Sequence, residues 1–193
     1  MSRADRFDRA DFELPDRRQS PEAPPVPSAP LPARPEPEPV AQSQKPIWPI
    51  ADLHRKAVGS SVMPNRHGRA HKGVDIQASA GAEVLASVGG RVLRVVDGRK
   101  SKRQMLHRAG LFVDVRGNDS LIYRYLHLGE ARVTPGAIIQ QGAVVGLVAA
   151  AKTSGLGDWT HLHFEIRTSD YDSANKDYGS PINPLRLLPA LNA

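Results

Sequence analysis

The sequence predicts a mainly β protein: a compact antiparallel β-sheet domain with few short helices, preceded by a disordered, proline-rich N-terminal tail. Three observations carry this expectation. From Gly73 onward, short β-branched runs recur between glycine-containing breaks, the rhythm of antiparallel strands joined by tight turns. Leu162, Phe164 and Ile166 alternate with His161, His163, Glu165 and Arg167, which puts one set on each face of a strand. Twelve of the 17 prolines crowd between Pro15 and Pro49, where few side chains are large enough to pack, so burial there cannot offset the entropy of ordering.

Taken in order, residues 1–18 form a mixed-charge arm carrying Phe7, Phe12 and Leu14. It reads as a solvated arm, with a weak helix that docks on a partner as the alternative. Residues 21–39 alternate proline with small and acidic residues and read as an extended, semi-rigid tether. Residues 1–46 are therefore taken as arm and tether, and residues 47–193 as the folded domain, starting near Ile47-Trp48-Pro49-Ile50. Strands are expected over 82–86 and 90–96, separated by Gly89-Gly90. Two more, 111–115 and 121–126, flank Arg116-Gly117-Asn118-Asp119, a strong hairpin signal. Val133 and the runs 137–139 and 143–148 follow, spaced by Pro135-Gly136 and Gln141-Gly142. The last clear strand is His161–Arg167, and no helical period or internal repeat stands out.

Composition excludes several functions. Cysteine is absent, which removes disulfides, cysteine nucleophiles, thiolate zinc sites and iron–sulfur clusters. The longest stretch without a polar side chain is residues 142–151, far short of the roughly 20 needed to span a bilayer, so no membrane insertion is expected. Residues 1–45 carry 7 basic and 8 acidic side chains; with +6 on the whole chain, the remainder carries +7. That charge invites a nucleic-acid reading, but aromatics are few and no helix-turn-helix or RNA-binding signature occurs, so no nucleic-acid partner is expected.

Four histidines and an aspartate hold the chemistry. His71 and Asp75 lie four apart; His161 and His163 flank Leu162; His127 follows Tyr125-Leu126 at the end of an expected strand. On a strand, His161 and His163 share a face about 7 Å apart. Two nitrogens on one zinc must approach to about 3.3 Å, which side chains can span. Alone, such a pair reads first as two surface histidines on an edge strand, and a His and a carboxylate four apart recur in loops without chemical purpose. Together they change meaning, because imidazole and carboxylate both suit Zn²⁺, and three protein ligands plus water make the catalytic zinc pattern. Further histidines beside it would handle protons.

Gly68-Arg69-Ala70-His71-Lys72-Gly73-Val74-Asp75-Ile76, Tyr125-Leu126-His127-Leu128 and His161-Leu162-His163-Phe164-Glu165-Ile166 resemble, in order, the three signature blocks of the M23 (lysostaphin/LytM-type) zinc metallopeptidases. The resemblance runs from about residue 60 to the end, including Ile182-Asn183-Pro184-Leu185, and leaves the first 46 residues outside. It implies one Zn²⁺ per chain held by His71, Asp75 and His163, with His127 and His161 as the two catalytic histidines that are not ligands. Which of these two is the general base stays open. It implies a zinc metalloendopeptidase that hydrolyses peptide bonds in the stems or cross-bridges of bacterial peptidoglycan. Glu165 shares a face with His163 and reads either as an orienting group for that ligand or as half of a plain salt bridge.

The sequence departs from the family pattern twice. Residues 99–108 hold five Lys/Arg where a short turn is usual, and read either as an electrostatic rim for an acidic wall polymer or as a solvated loop. The approach to the last histidine pair carries Asp158-Trp159, so Trp159 is a candidate for lining the cleft. His54, His67 and His107 match no motif and read as surface histidines. Competing readings are an inactive M23-like wall-binding or activator module, a structural component of a phage tail or injection particle, and a biotinyl-type carrier domain. The carrier reading fails on its missing modification lysine hairpin. Residues 1–25 show no signal-peptide core, so action in the periplasm or extracellular wall calls for another route. The candidates are phage lysis, a phage tail or contractile injection particle, or secretion machinery engaged through residues 1–46.

Overall fold

A computed structural model describes residues 45–51, 58, 71–155, 159–172 and 177–191. The arm, the tether up to residue 44, and the histidines at 54 and 67 lie outside the described residues.

Eleven strands are described: β1 (Val74–Gln77), β2 (Glu83–Leu85), β3 (Gly90–Asp97), β4 (Leu111–Gly117), β5 (Ile122–Ala131), β6 (Ile138–Ile139), β7 (Val144–Val148), β8 (His161–Arg167), β9 (Tyr171–Asp172), β10 (Asp177–Tyr178) and β11 (Pro181–Ile182). All strand pairings are antiparallel. The main sheet runs β1-β8-β5-β4-β3-β6, with β11 beside β8, and β7 bridging β5 to β2. The one α-helix among the described residues, α1 (Gln104–Ala109), occupies the end of the basic segment read as a loop or rim, and a 3-10 turn spans Pro184–Arg186. Val133, grouped with the strand runs, lies in the connection between β5 and β6.

Alternation builds the core. Val74 and Ile76 of β1, Val113 and Val115 of β4, Tyr123 and Tyr125 of β5, and Leu162, Phe164 and Ile166 of β8 are fully buried together. Phe164 faces Tyr125 across the β5–β8 pair with ring centroids 5.3 Å apart, a favourable offset aromatic contact. Trp48 and Ile50 pack against this cluster, and the Trp48 indole N–H donates to the Pro189 carbonyl at 2.8 Å.

Two features position the site. β8 lies between β1 and β5 rather than at an edge, and its polar face is buried as well: His161, Glu165 and Arg167 are all within the interior. β5 changes partner along its length, pairing with β8 as far as Leu126 and with β7 from Leu128. His127 sits at that switch, with φ of 64°, inside an irregularity in the β4–β5 register. A left-handed conformation in a non-glycine residue costs about 1–2 kcal/mol and needs surrounding structure to hold it.

Candidate metal centre

Asp75 stands directly opposite His163 across the β1–β8 pair, on the face away from the core. His71 lies four residues earlier, on the approach to β1. Their side chains converge: Asp75 Oδ1 lies 2.7 Å from His163 Nδ1 and 3.1 Å from His71 Nε2, and the two ring nitrogens are 3.2 Å apart. Bonds of 2.0–2.1 Å in a tetrahedron place ligand atoms about 3.3 Å apart; two edges of this triangle, 3.1 and 3.2 Å, are close to that spacing, and the third, 2.7 Å, is a hydrogen-bond distance that would open on metal binding. Two imidazoles and one carboxylate are also a donor set suited to zinc. The residues therefore fit the ion. The other nitrogen of His71, Nδ1, is buried without a hydrogen-bond partner among the described residues.

Burial pushes the Asp75 carboxyl up, but hydrogen bonds and charge from His163 and His71 outweigh it and hold the group well below the usual carboxylate range. Burial pushes His163 down, and its bonds to Asp75 and Glu165 overcome that, raising the ring to about 9. His163 thus donates one N–H to each carboxylate, the second from Nε2 to Glu165 Oε1 at 3.1 Å.

The two remaining histidines flank this triangle. His161 Nδ1 lies 2.9 Å from the Trp159 carbonyl, a bond only an N–H can make, so its Nε2 carries the lone pair. That Nε2 is 3.8 Å from Asp75 Oδ1. The Trp159 ring, 39% exposed, stacks on the His161 ring at 4.3 Å and 22°. The cleft-lining expectation for Trp159 thus has a physical form, while Asp158 lies outside the described residues. His127 meets His161 edge-on at 4.9 Å and lies 5.9 Å from His163. Burial first, then positive charge on His163 and His161, push His127 down to about 3, so it is neutral near pH 7. Burial likewise lowers His161, partly opposed by its bond to the Trp159 backbone. Two neutral rings beside a cation site avoid charge repulsion and leave lone pairs for proton transfer.

Several contributors escaped the sequence reading. His127 Nδ1, like Nδ1 of His71, is buried without a hydrogen-bond partner among the described residues. Gly155, with φ of 79°, packs flat on the His127 ring; a Cβ there would overlap Nδ1 and lie 2.7 Å from Cε1. Gly73 does the same for Glu165, whose Cγ would be 2.9 Å from an added Cβ. Both glycines were visible as letters, but nothing in their neighbours announced what they would touch. His107 is exposed on α1, as expected, with Nδ1 bonded to the Arg99 carbonyl at 3.0 Å.

A search of the curated proteins finds no match to this chain. Among solved structures, the catalytic domain of the antimicrobial peptidase lysostaphin from Staphylococcus simulans is similar at 22% identity and TM-score 0.54, over 67% of this chain and 89% of that one. The catalytic domain of the prophage-encoded M23 protein EnpA from Enterococcus faecalis is similar at 25% identity and TM-score 0.52, over 66% and 88%. A zinc-containing peptidase from Vibrio cholerae is similar at 22% identity and TM-score 0.57, over 78% of this chain and 41% of that one. These establish the fold. The model of peptidase family M23 matches residues 69–184, a span that begins just before His71 and closes just after Ile182-Asn183, enclosing every residue of the centre described above. With more than half its length matched, this chain belongs to peptidase family M23.

Proposed function

We propose that the chain is a zinc-dependent endopeptidase that hydrolyses peptide bonds of bacterial peptidoglycan. The observation that carries this is the convergence of His71 Nε2, Asp75 Oδ1 and His163 Nδ1 on one point, with two neutral histidine rings packed beside it. Family membership supports the peptidase chemistry, and the wall substrate follows from the resemblance to lysostaphin-type enzymes. Zinc held by those three atoms supplies a Lewis acid for the scissile carbonyl and lowers the pKa of water to about 7.

The chain's own groups do the rest. His161, its Nδ1–H anchored on the Trp159 carbonyl, presents Nε2 toward the centre and takes up the proton of the attacking water. The same atom returns that proton to the leaving amine. His127, its ring edge-on to His161 at 4.9 Å, is the second catalytic histidine and hydrogen-bonds the oxygen on which negative charge develops. The stacked Trp159 ring keeps His161 from rotating and presents an aromatic face to a bound strand. Action in the periplasm or extracellular wall follows from the substrate, with delivery assigned to residues 1–46 through a phage tail, contractile injection particle or secretion machinery. The presence of all five side chains in one place disfavours the inactive wall-binding module.

The test is mass spectrometry of muropeptides released from purified walls, with and without chelator. Chelator-sensitive release of new amino and carboxyl termini supports the reading. Intact walls after incubation with fully zinc-loaded protein overturn it.

A further inference from the structure

A ladder of charges, buried except at the partly exposed Arg94, crosses the sheet from Glu165, which shares the His163 face of β8. Glu165 on β8 pairs in register with Arg124 on β5, Arg124 with Asp114 on β4, and Asp114 with Arg94 on β3. The signs alternate along those four strands. Arg124 grips Asp114 with two bonds of 2.8 and 2.9 Å, and Arg94 Nε lies 3.3 Å from the same carboxylate. Arg94 also bonds Asp170. Arg167, two residues along β8, donates to Glu165 Oε2 at 2.6 Å, and Arg124 Nη1 stands 4.0 Å away.

Both of these guanidinium contacts are to Oε2 of Glu165. The other, Oε1, faces His163 Nε2 at 3.1 Å. A salt bridge alone would leave that oxygen without a reason to point at a ring that sits in the triangle of converging donors. The stem of Glu165 is also fixed, since Gly73 on the neighbouring chain approach leaves room for its Cγ and for nothing larger. Arg167 thus holds one oxygen and Gly73 lies against the stem, while Oε1 is turned to His163.

We propose that Glu165 is a positioning residue for the metal centre: its carboxylate accepts the Nε2–H of His163 and thereby keeps Nδ1 of that ring turned toward His71 and Asp75. Arg167 holds Glu165 in place, with the charge of Arg124, itself fixed by Asp114, 4.0 Å from the same oxygen. This inference rests on the zinc reading above. Outer groups of this kind orient a ligand and fix which ring nitrogen carries its proton.

The test uses the full chain. Zinc affinity is measured by competition with a chromophoric chelator for wild type, Glu165→Leu and Glu165→Gln, with the melting temperature of each in excess chelator alongside. Glu165→Leu is expected to weaken zinc about 10- to 100-fold, and Glu165→Gln, which keeps an acceptor oxygen, to recover part of that loss. Unchanged zinc affinity with a lowered metal-free melting temperature overturns the proposal, because Glu165 would then serve only Arg167 and Arg124. Should Glu165→Leu not fold, nitrogen-15 spectra of zinc-loaded wild type decide the matter. A His163 Nε2 proton shifted downfield as in a hydrogen bond to a carboxylate supports the inference, and one at the shift of a free imidazole N–H, or a proton on Nδ1, refutes it. Wild type that takes up no zinc overturns the zinc reading and this inference together, whereas wild type that binds zinc while Glu165→Leu binds it equally well overturns this inference alone.

Discussion

Zinc uptake should release one proton per chain at pH 7, and that proton should come from His163. In the metal-free protein the His163 ring lies between two carboxylates, 2.7 Å from Asp75 and 3.1 Å from Glu165, and carries a proton up to about pH 9. A metal can take Nδ1 only after the proton there has gone. Between pH 9 and pH 7 the apparent affinity should therefore fall about tenfold per unit, about 100-fold in all. The same shift bears on stability. The folded value is raised above the ordinary 6.5, so the metal-free fold gains from it fully below that value and loses it as pH rises through about 9. The loss, from pH 6 to beyond 9, amounts to about 3 kcal/mol. Calorimetric zinc titrations in two buffers of different ionisation enthalpy count the protons, and melting curves in chelator follow the stability. Zero proton release at pH 7, or a metal-free melting temperature that climbs from pH 6 to pH 9.5, would refute the reasoning.

Other expectations concern single side chains. His71→Ala, Asp75→Ala and His163→Ala should each lose zinc and turnover together, whereas His127→Ala and His161→Ala should keep zinc and lose turnover by about 10²- to 10⁴-fold; if metal analysis finds His161→Ala empty and His163→Ala loaded, the pair has been assigned the wrong way round. Gly155→Ala must strain a residue at φ of 79° and push against His127, so it should cost at least about 1–2 kcal/mol and reduce turnover while zinc affinity holds, as melting and chelator competition would show. Phe164→Ala removes a fully buried ring from between Tyr123 and Tyr125 and should cost about 3–5 kcal/mol in urea unfolding. A loss below about 1 kcal/mol there would contradict the assignment of the inner face of β8 to the core.

Local chemistry made part of this molecule legible in its sequence. The strand at residues 161–167 was read with its bounds because strict alternation leaves one choice of face. The three donors could be named because their residue types and motif blocks are specific. The ladder was not seen, although each strand carries its sign: Arg94 within Arg91-Val92-Leu93-Arg94-Val95, Asp114 within Val113-Asp114-Val115, Arg124 within Tyr123-Arg124-Tyr125. A charge inside an apolar run signals a partner, but which partner depends on register, and register is a property of the folded sheet. The polar face of β8 was expected to be simply the other side of a strand. It is buried because β1 and β5 flank β8 and their own polar groups meet it there. Helix α1 went unread for a different reason: six residues are too few to show a period.

The least legible placement, that of His127, follows from topology. A strand that pairs with β8 over one half and β7 over the other must reorient its backbone between them, and the residue at the change absorbs the turn. Glycine would do so at no steric cost, and its absence from that position is informative. Histidine in a left-handed conformation is tolerated because hydrogen-bonded partners on both sides, Leu126 to His163 and Leu128 to Val148, fix the chain before and after it. Its ring then packs against Gly155 on one side and meets His161 edge-on. The metal ligands are equally fixed in advance, since Asp75 and His163 are cross-strand partners whose separation is set by backbone hydrogen bonds. Two of the three donors are thus brought together by a pairing that also closes the sheet, and His71 joins them from the approach to β1.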